Sequence, residues 1–399
     1  MKISREKRNV FLLAACQALF QTAGVVIITA SGLVGHLLAA DKSLATLPIS
    51  AWMVGAMVTM IPASLLMGRL GRKVGFTIGG LLGAGSGALA VVGLIAGSFW
   101  IFTLAHLLHG AYQGFAQFYR FAAADAASAQ FKSRAISYVL TGGVVSAIVG
   151  PNLVAFTRDL TAGTPFVISY AALIVLGLAA TAVVALIEIP PPAQERSAEP
   201  PRTLLQIARQ PVFIVALLVA AIGYGVMNLA MTATPLAMAR HDHGIAATAF
   251  VIQWHVLGMF VPSFFTGAII ARLGSPRVML AGIMLLVVHV AIAFSGIEFL
   301  YFLSALTLLG IGWNFAYIGG TTLLTEAYRP SEKALVQGVN DFTIFTTVVA
   351  SSFASGALLH GFGWTGVNVV ALPFLAFAGI ILILFMLRRP GRSDLAAAE

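Results

Sequence analysis

The sequence predicts an all-α membrane protein with twelve transmembrane helices in two pseudo-symmetric six-helix bundles. The 399 residues are 59% hydrophobic and 9% charged, whereas a soluble protein carries about 25% charged residues. The apolar residues form separate runs of about 20, which is the length that crosses a hydrocarbon core as a helix. The basic residues lie in every second gap between these runs, and the two halves of the chain resemble each other.

The apolar runs define the predicted spans. We expect helices because a helix satisfies its own backbone hydrogen bonds in lipid, and the alternating segments of a membrane β-barrel are lacking. In chain order the runs cover residues 10–33, 47–67, 74–96, 100–121, 136–156, 166–187, 212–237, 247–271, 278–295, 299–324, 335–358 and 367–387.

The charge pattern predicts the orientation of these spans. Of 23 Lys and Arg residues, only Lys42, Arg158 and Arg240 fall in the odd-numbered gaps. Multi-pass proteins keep Lys and Arg in their cytoplasmic loops. We therefore expect a cell inner (plasma) membrane protein with both termini in the cytoplasm. The same topology accounts for the basic pI of about 10, so nucleic acid is not an expected partner.

A polar, proline-rich stretch at residues 190–210 divides the chain into an N-terminal bundle, 1–189, and a C-terminal bundle, 211–399. The halves repeat at an offset near 200 residues. The matching positions are Arg69-Leu70-Gly71 with Arg272-Leu273-Gly274, Gln113 with Asn314, and Asp125 with Glu326. Internal repeats of this kind are typical of secondary transporters.

These motifs resemble those of the major facilitator superfamily over essentially the whole chain. Arg69-Leu70-Gly71-Arg72-Lys73 is similar to the end of that family's loop motif between spans two and three. The resemblance implies a bacterial-type transporter with twelve transmembrane helices. Gly68 and Ala271 stand where the family normally has an Asp that helps to lock the cytoplasmic face. The gating residues expected here are Arg69, Arg72, Lys73, Arg120, Asp125, Arg272, Glu326 and Lys333.

Arg120, at the end of span four, has two interpretations. It could bind an anionic group of the solute or form part of the gate. We favour a side chain that snorkels to the interface and pairs with Asp125.

Two further stretches bear on mechanism. His106 stands where some family members have a span-four Arg that is tied to proton coupling. Gly142-Gly143 and Gly150-Pro151 resemble part of the family's antiporter motif. The second resemblance favours export.

The proton-coupling candidates are Asp341 and His106. Asp341 lies within span eleven, where a buried charge is costly and therefore a functional candidate. It could carry a proton, or it could reach water and pair with Lys333. His106 could carry protons, or it could bond to a neighbouring span.

Polar residues among aromatic rings predict the substrate site, since amides and rings suit an uncharged or weakly charged planar solute. Single members could instead join helices. The candidates are Gln17, Gln21, Tyr112, Gln113, Gln117, Tyr224, Asn228, Trp254, Trp313, Asn314 and Tyr317.

Together these features predict a secondary active transporter of a small organic, aromatic or amphipathic solute, proton-coupled and leaning to efflux by antiport. The alternatives are an uncoupled facilitator, a proton-coupled uptake symporter and a transporter-derived receptor. The expected partners are the solute, protons and the lipid bilayer. We expect a monomer without cofactor or metal, and not an enzyme.

Overall fold

The computed structural model describes residues 4–161, 163–189 and 202–388. Residues 190–201 of the predicted linker and both chain ends lie outside the described residues. All regular structure in the described part is helical. The α-helices are α1 Arg5–Leu38, α2 Leu47–Leu70, α3 Arg72–Ile95, α4 Phe99–Ala116, α5 Tyr119–Asp125, α6 Lys132–Leu140, α7 Gly142–Thr157, α8 Val167–Ala185, α9 Leu204–Ala208, α10 Pro211–Arg240, α11 Ile245–Phe260, α12 Ser263–Leu273, α13 Ser275–Ser295, α14 Phe299–Leu324, α15 Lys333–Val369 and α16 Ala371–Arg388.

Among the described residues, 10 helical segments are long and apolar enough to cross a membrane. One of them, Pro330–Arg388, contains the last two predicted spans, with a turn at Gly363. The predicted span 100–121 lies on α4 and α5. The expectation of twelve spans is compatible with this structure and stays a prediction.

Three predicted spans are each divided into two helices. Span four breaks after Ala116 and resumes at Tyr119, and span five breaks between α6 and α7. Span eight breaks at Pro262, which lacks a backbone N–H and so cannot continue the hydrogen-bond ladder. The breaks matter because they lie next to the polar side chains described below.

The internal repeat is visible in the backbone. Gly71 ends α2 and precedes α3 with φ 92° and ψ 157°, and Gly274 separates α12 from α13 with φ 83° and ψ 153°. Only glycine adopts such positive φ values without strain. The two glycines of the repeated motif therefore make the same turn in both halves.

The chain forms two compact units. The first contains Met1–Pro201, Ser263–Gly267 and Pro330–Val349, and the second contains Arg202–Pro262, Ala268–Arg329 and Ala350–Glu399. These units differ from the predicted bundles because the starts of α12 and α15 pack with helices of the first half. The predicted division into bundles 1–189 and 211–399 stays a prediction.

In the first unit, hydrogen bonds and an ion pair join the beginning of α1 to the residues that follow α8. The Asn9 amide donates to the Glu188 carbonyl (3.0 Å), and the Glu188 N–H donates back to Asn9 Oδ1 (3.1 Å). Arg8 Nη2 lies 2.5 Å from Glu188 Oε1. The hydrogen bond from Arg8 and its positive charge hold the pKa of the Glu188 carboxyl below its usual range.

Candidate functional site

A buried ion pair lies in the first unit, where α5 meets α15. Arg120 Nη2 is 2.6 Å from Asp341 Oδ1, and the side chains are 2% and 1% exposed. Asn340 also donates to Asp341 Oδ1 (2.9 Å). Removing each of the two charges from water costs roughly several kcal/mol, and close pairing with hydrogen bonding is needed to offset this cost. Each charge of this pair therefore depends on the other to remain charged in the interior.

The break in span four positions Arg120. Arg120 Nη1 donates to the Gln117 carbonyl (2.5 Å) and to Gln117 Oε1 (3.2 Å). The guanidinium carbon lies 4.4 Å from the centre of the Phe121 ring. Three kinds of contact thus fix the guanidinium group toward Asp341.

Two sequence-based interpretations are wrong here. Arg120 does not snorkel to pair with Asp125, because it is 2% exposed and pairs with Asp341. Asp341 does not reach water to pair with Lys333, because it is buried and Lys333 pairs with Asp125 instead. In both cases the partner was assigned by nearness in sequence, whereas packing brings together residues 221 positions apart.

Three charged residues and one amide, here called the charged cluster, lie in the same unit: Arg72, Asp125, Lys333 and Gln337. Asp125 Oδ2 is 3.3 Å from Arg72 Nη2 and 3.0 Å from Lys333 Nζ. Arg72 Nη2 also donates to Gln337 Oε1 (2.5 Å). Asp125 therefore joins a basic residue from each half of the chain, and its gating role stays a prediction.

Lys333, Gln337 and Asp341 are four residues apart, so they share one face of α15. This face contacts Asp125, Arg72 and Arg120 in turn. Sequence reasoning missed Gln337, although its spacing of four from both charged neighbours could have identified it. The charged cluster and the buried ion pair thus form one continuous contact along α15.

Small residues bring α2 close to α15 beside this contact. The Ser64 hydroxyl donates to the Ala334 carbonyl (2.6 Å). A Cβ atom added at Gly68 would lie 2.7 Å from Cβ of Ala334, which is closer than two carbons approach. The Asp normally found at the Gly68 position does not fit this packing.

Serine hydroxyls also join α6 to α12. The Ser133 hydroxyl donates to the Gly267 carbonyl (2.9 Å), and the Ser137 hydroxyl donates to the Ser263 carbonyl (2.5 Å). The Gly267 N–H donates to Ser137 Oγ (3.0 Å). These contacts are uncharged, unlike those along α15.

The remaining predicted gating residues lie outside these contacts. Arg69, Arg272 and Glu326 are exposed, and Lys73 donates to the carbonyl of Ala185 (2.6 Å). Their gating role stays a prediction.

His106 occupies a hydrogen-bonded chain. Its Nδ1 lies 2.8 Å from the Phe102 carbonyl, which can only accept, so Nδ1 carries the proton. In the neutral imidazole, Nε2 then accepts from the Ser31 hydroxyl (2.6 Å), and Ser31 accepts from the Tyr170 hydroxyl (2.8 Å). This arrangement joins α1, α4 and α8, as the helix-joining interpretation expects.

The predicted substrate residues of the first unit lie on α1 and around the end of α4. Gln17 and Gln113 are buried, Gln21 is half-buried, and Gln117 holds Arg120. Tyr112 is 1% exposed and packs edge-on against Phe20, with ring centres 5.2 Å apart. The Tyr112 ring is packed between helices, and the substrate role of these residues stays a prediction.

In the second unit, three predicted residues form a ring wall of Tyr224, Trp313 and Tyr317. Trp313 and Tyr317 stack at 4.9 Å with an interplanar angle of 17°. Tyr224 meets both edge-on, at 5.3 and 5.4 Å. These three residues from α10 and α14 are brought together.

The ring wall does not include three further candidates of the second unit, of which Asn314 and Asn228 join helices. The Asn314 amide donates to the Met259 carbonyl (2.6 Å), a contact between α14 and α11. Trp254 is 44% exposed and neighbours Phe250. The Asn228 amide donates to Ser351 Oγ and Ser352 Oγ, at 3.0 and 2.7 Å.

Repeated apolar helices of membrane-spanning length, with charged groups paired inside them, define a multi-pass membrane transporter. The family model of the Major Facilitator Superfamily matches residues 10–261 and 221–399. The chain belongs to the Major Facilitator Superfamily, a family of transporters rather than enzymes. The family resemblance and the helical fold predicted from sequence are confirmed.

Similar proteins cover nearly the whole chain. The riboflavin transporter RfnT of Brucella anthropi is 41% identical over 380 residues, which is 95% of this chain and 96% of that protein. The uncharacterized transporter YdeG of Bacillus subtilis is 29% identical over 95% of this chain and 90% of its own length.

Solved structures share the fold. The transporter FucP in its outward conformation has a TM-score of 0.77 at 17% identity, covering 96% of this chain and 99% of FucP. The human organic anion transporter MFSD10 has a TM-score of 0.78 at 15% identity, covering 95% and 100%.

Proposed function

We propose that the chain is a proton-coupled secondary transporter that carries riboflavin, or a closely related flavin, by alternating access. The observation that carries the choice of solute is the 41% identity to a riboflavin transporter along nearly the full length of both chains. A flavin also fits the predicted solute class, because it is planar, aromatic and uncharged in its ring system.

Proton coupling is assigned to the buried ion pair. Asp341 is 1% exposed and pairs with the Arg120 guanidinium at 2.6 Å. A carboxylate in such a place is neutralised by a proton far more readily when its cation moves away. Separation of Arg120 from Asp341 would therefore couple a conformational change to proton uptake.

The proposed topology follows the charge pattern. Bundles 1–189 and 211–399, joined by the linker 190–210, cross the inner membrane with both termini in the cytoplasm, and the chain acts as a monomer. The charged cluster then lies on the cytoplasmic side, as the basic loops require.

The proposed direction is efflux by antiport. Its support is the antiporter-like stretch on α7, which packs directly on α1. A Cβ atom added at Gly142 would lie 2.5 Å from the Ala14 carbonyl oxygen, and one added at Gly150 would lie 2.5 Å from a side-chain carbon of Val25.

The test uses purified protein in liposomes, with flavin fluorescence as the readout. A pH gradient of either sign is imposed, and riboflavin accumulation against its own gradient is measured. We expect uphill movement opposite to the proton flow, and its loss in Asp341→Asn. Asp159→Asn is the matched control, because Asp159 is 75% exposed and forms a surface pair with Arg158.

Each outcome has a separate meaning. Uphill movement in the same direction as protons identifies an uptake symporter and refutes antiport. Downhill movement that ignores the pH gradient identifies an uncoupled facilitator. Failure to move or bind any flavin refutes the solute assignment.

A further inference from the structure

A cluster of three polar side chains lies beside the ring wall in the second unit. Asn228 uses its amide nitrogen to bond two consecutive hydroxyl groups, Ser351 at 3.0 Å and Ser352 at 2.7 Å. This amide–hydroxyl cluster joins α10 to α15. The amide therefore holds both serine oxygens close together.

The amide–hydroxyl cluster and the ring wall are neighbours. Tyr224 and Asn228 are four residues apart on α10, so they lie on one face, one turn apart. Tyr224, Ser351 and Ser352 are all half-buried, whereas Trp313 and Tyr317 are 2% exposed behind Tyr224. The half-buried surface therefore changes from an aromatic ring to hydroxyl groups within one helical turn.

This pairing matches a solute with two chemically distinct parts. A planar ring system packs on aromatic side chains through stacking or edge contacts. A chain of hydroxyl groups is bound by side chains that both donate and accept, and serine hydroxyls do so. Neither part of the surface offers a charge to an ionic solute.

We infer that the amide–hydroxyl cluster is a polyol subsite, which binds the hydroxylated side chain of a flavin while Tyr224 contacts the ring system. This inference rests on the proposed function and deepens it. It adds Ser351 and Ser352 as specificity-determining residues, which sequence reasoning did not select. The cluster would distinguish riboflavin from flavins that lack the ribityl chain.

The test compares two ligands that share one ring system. Riboflavin carries the ribityl chain, and lumiflavin carries a methyl group in its place. Binding to purified full-length protein is measured by quenching of flavin fluorescence. The variants are Ser351→Ala/Ser352→Ala and Tyr224→Leu. Ser355→Ala is the matched control, because Ser355 lies one turn away on α15 and also bonds α10, at the Leu229 carbonyl (2.9 Å).

The double serine variant is expected to bind riboflavin about five- to tenfold more weakly, as loss of one or two hydrogen bonds implies. Its binding of lumiflavin stays unchanged, which also shows that the variant is folded. Tyr224→Leu weakens both ligands, and Ser355→Ala changes neither.

Two results overturn the inference, and they are distinguishable. If the wild-type protein binds riboflavin but the double serine variant keeps the same riboflavin-to-lumiflavin ratio, the polyol subsite is refuted and the proposed function stands. If the wild-type protein binds neither flavin, the proposed function is refuted and the subsite with it.

Discussion

Removal of one member of the buried ion pair should destabilise the protein far more than removal of both. Arg120 is 2% exposed, and Asp341→Asn replaces the carboxylate that its guanidinium faces by a neutral amide. Two unit charges at about 4 Å attract each other by about 4 kcal/mol at an effective dielectric constant near 20. Breaking a buried pair from one side costs about 3–5 kcal/mol in other proteins. We therefore expect a loss of about 3–5 kcal/mol.

The double variant Arg120→Met/Asp341→Leu removes both charges and keeps an apolar contact. Replacement of a whole buried ion pair by apolar side chains is neutral or stabilising in several proteins. In this variant the Gln117 carbonyl loses one donor and the Asn340 amide loses its acceptor, each at a cost of about 1 kcal/mol. Its stability should consequently return to within about 2 kcal/mol of the wild type.

The assay pairs stability with transport. Unfolding of each purified variant is followed by tryptophan fluorescence in one detergent, and riboflavin movement in liposomes is measured with and without a pH gradient. The double variant should be stable and uncoupled. The exposed pair supplies the control, since Asp159→Asn should cost at most about 1 kcal/mol.

Two results would refute this reasoning. If Asp341→Asn is as stable as the wild type, no buried charge has been left unpaired. If the double variant still accumulates riboflavin uphill, protons are coupled through other residues.

Three further predictions concern the contacts around this pair. Gly68→Asp should destabilise the packing of α2 on α15 by about 1–3 kcal/mol, and adding Ala334→Gly should relieve that loss. Unfolding of the single and double variants measures both effects. A stable Gly68→Asp protein would contradict the close approach of the two helices. Ser137→Ala loses a donor and an acceptor and should cost about 1–3 kcal/mol. The control Ser146→Ala, whose hydroxyl bonds the Gly143 carbonyl within α7, should cost less in the same measurement. The pKa of Glu188 is lowered in the folded protein. Its contribution to stability is therefore present above the unfolded-state pKa and is lost as pH falls through the folded-state pKa. Glu188→Gln should destabilise the protein at pH 7 and have no effect in strong acid, and equal effects at both pH values would refute the assignment.

The sequence predicted the features that depend on local composition. Apolar run lengths located the helices, and the repeated Arg-Leu-Gly located the matching turns at Gly71 and Gly274. Both follow from local rules, since hydropathy reports contact with lipid and a positive φ requires glycine.

The sequence did not predict the partners of buried polar groups. The expected partner of Arg120 is the nearby Asp125, but the break in span four places Arg120 against Asp341. Trp254 is a substrate candidate by residue type, and its 44% exposure could not be read from the sequence. A helix face is readable from spacing, whereas the neighbour of that face depends on how distant helices pack.

The structure explains why position 68 holds Gly rather than the Asp that is usual in the family. Without a side chain at Gly68, α2 approaches α15 closely enough for the Ser64 hydroxyl to bond the Ala334 carbonyl directly (2.6 Å). The charged contact that an Asp would make is replaced by close packing and one neutral hydrogen bond. Asp125 then remains as the acid that joins the two basic residues of the charged cluster. Since a neutral contact is insensitive to protons, the pH dependence of this region should arise along the face of α15 that holds Asp341.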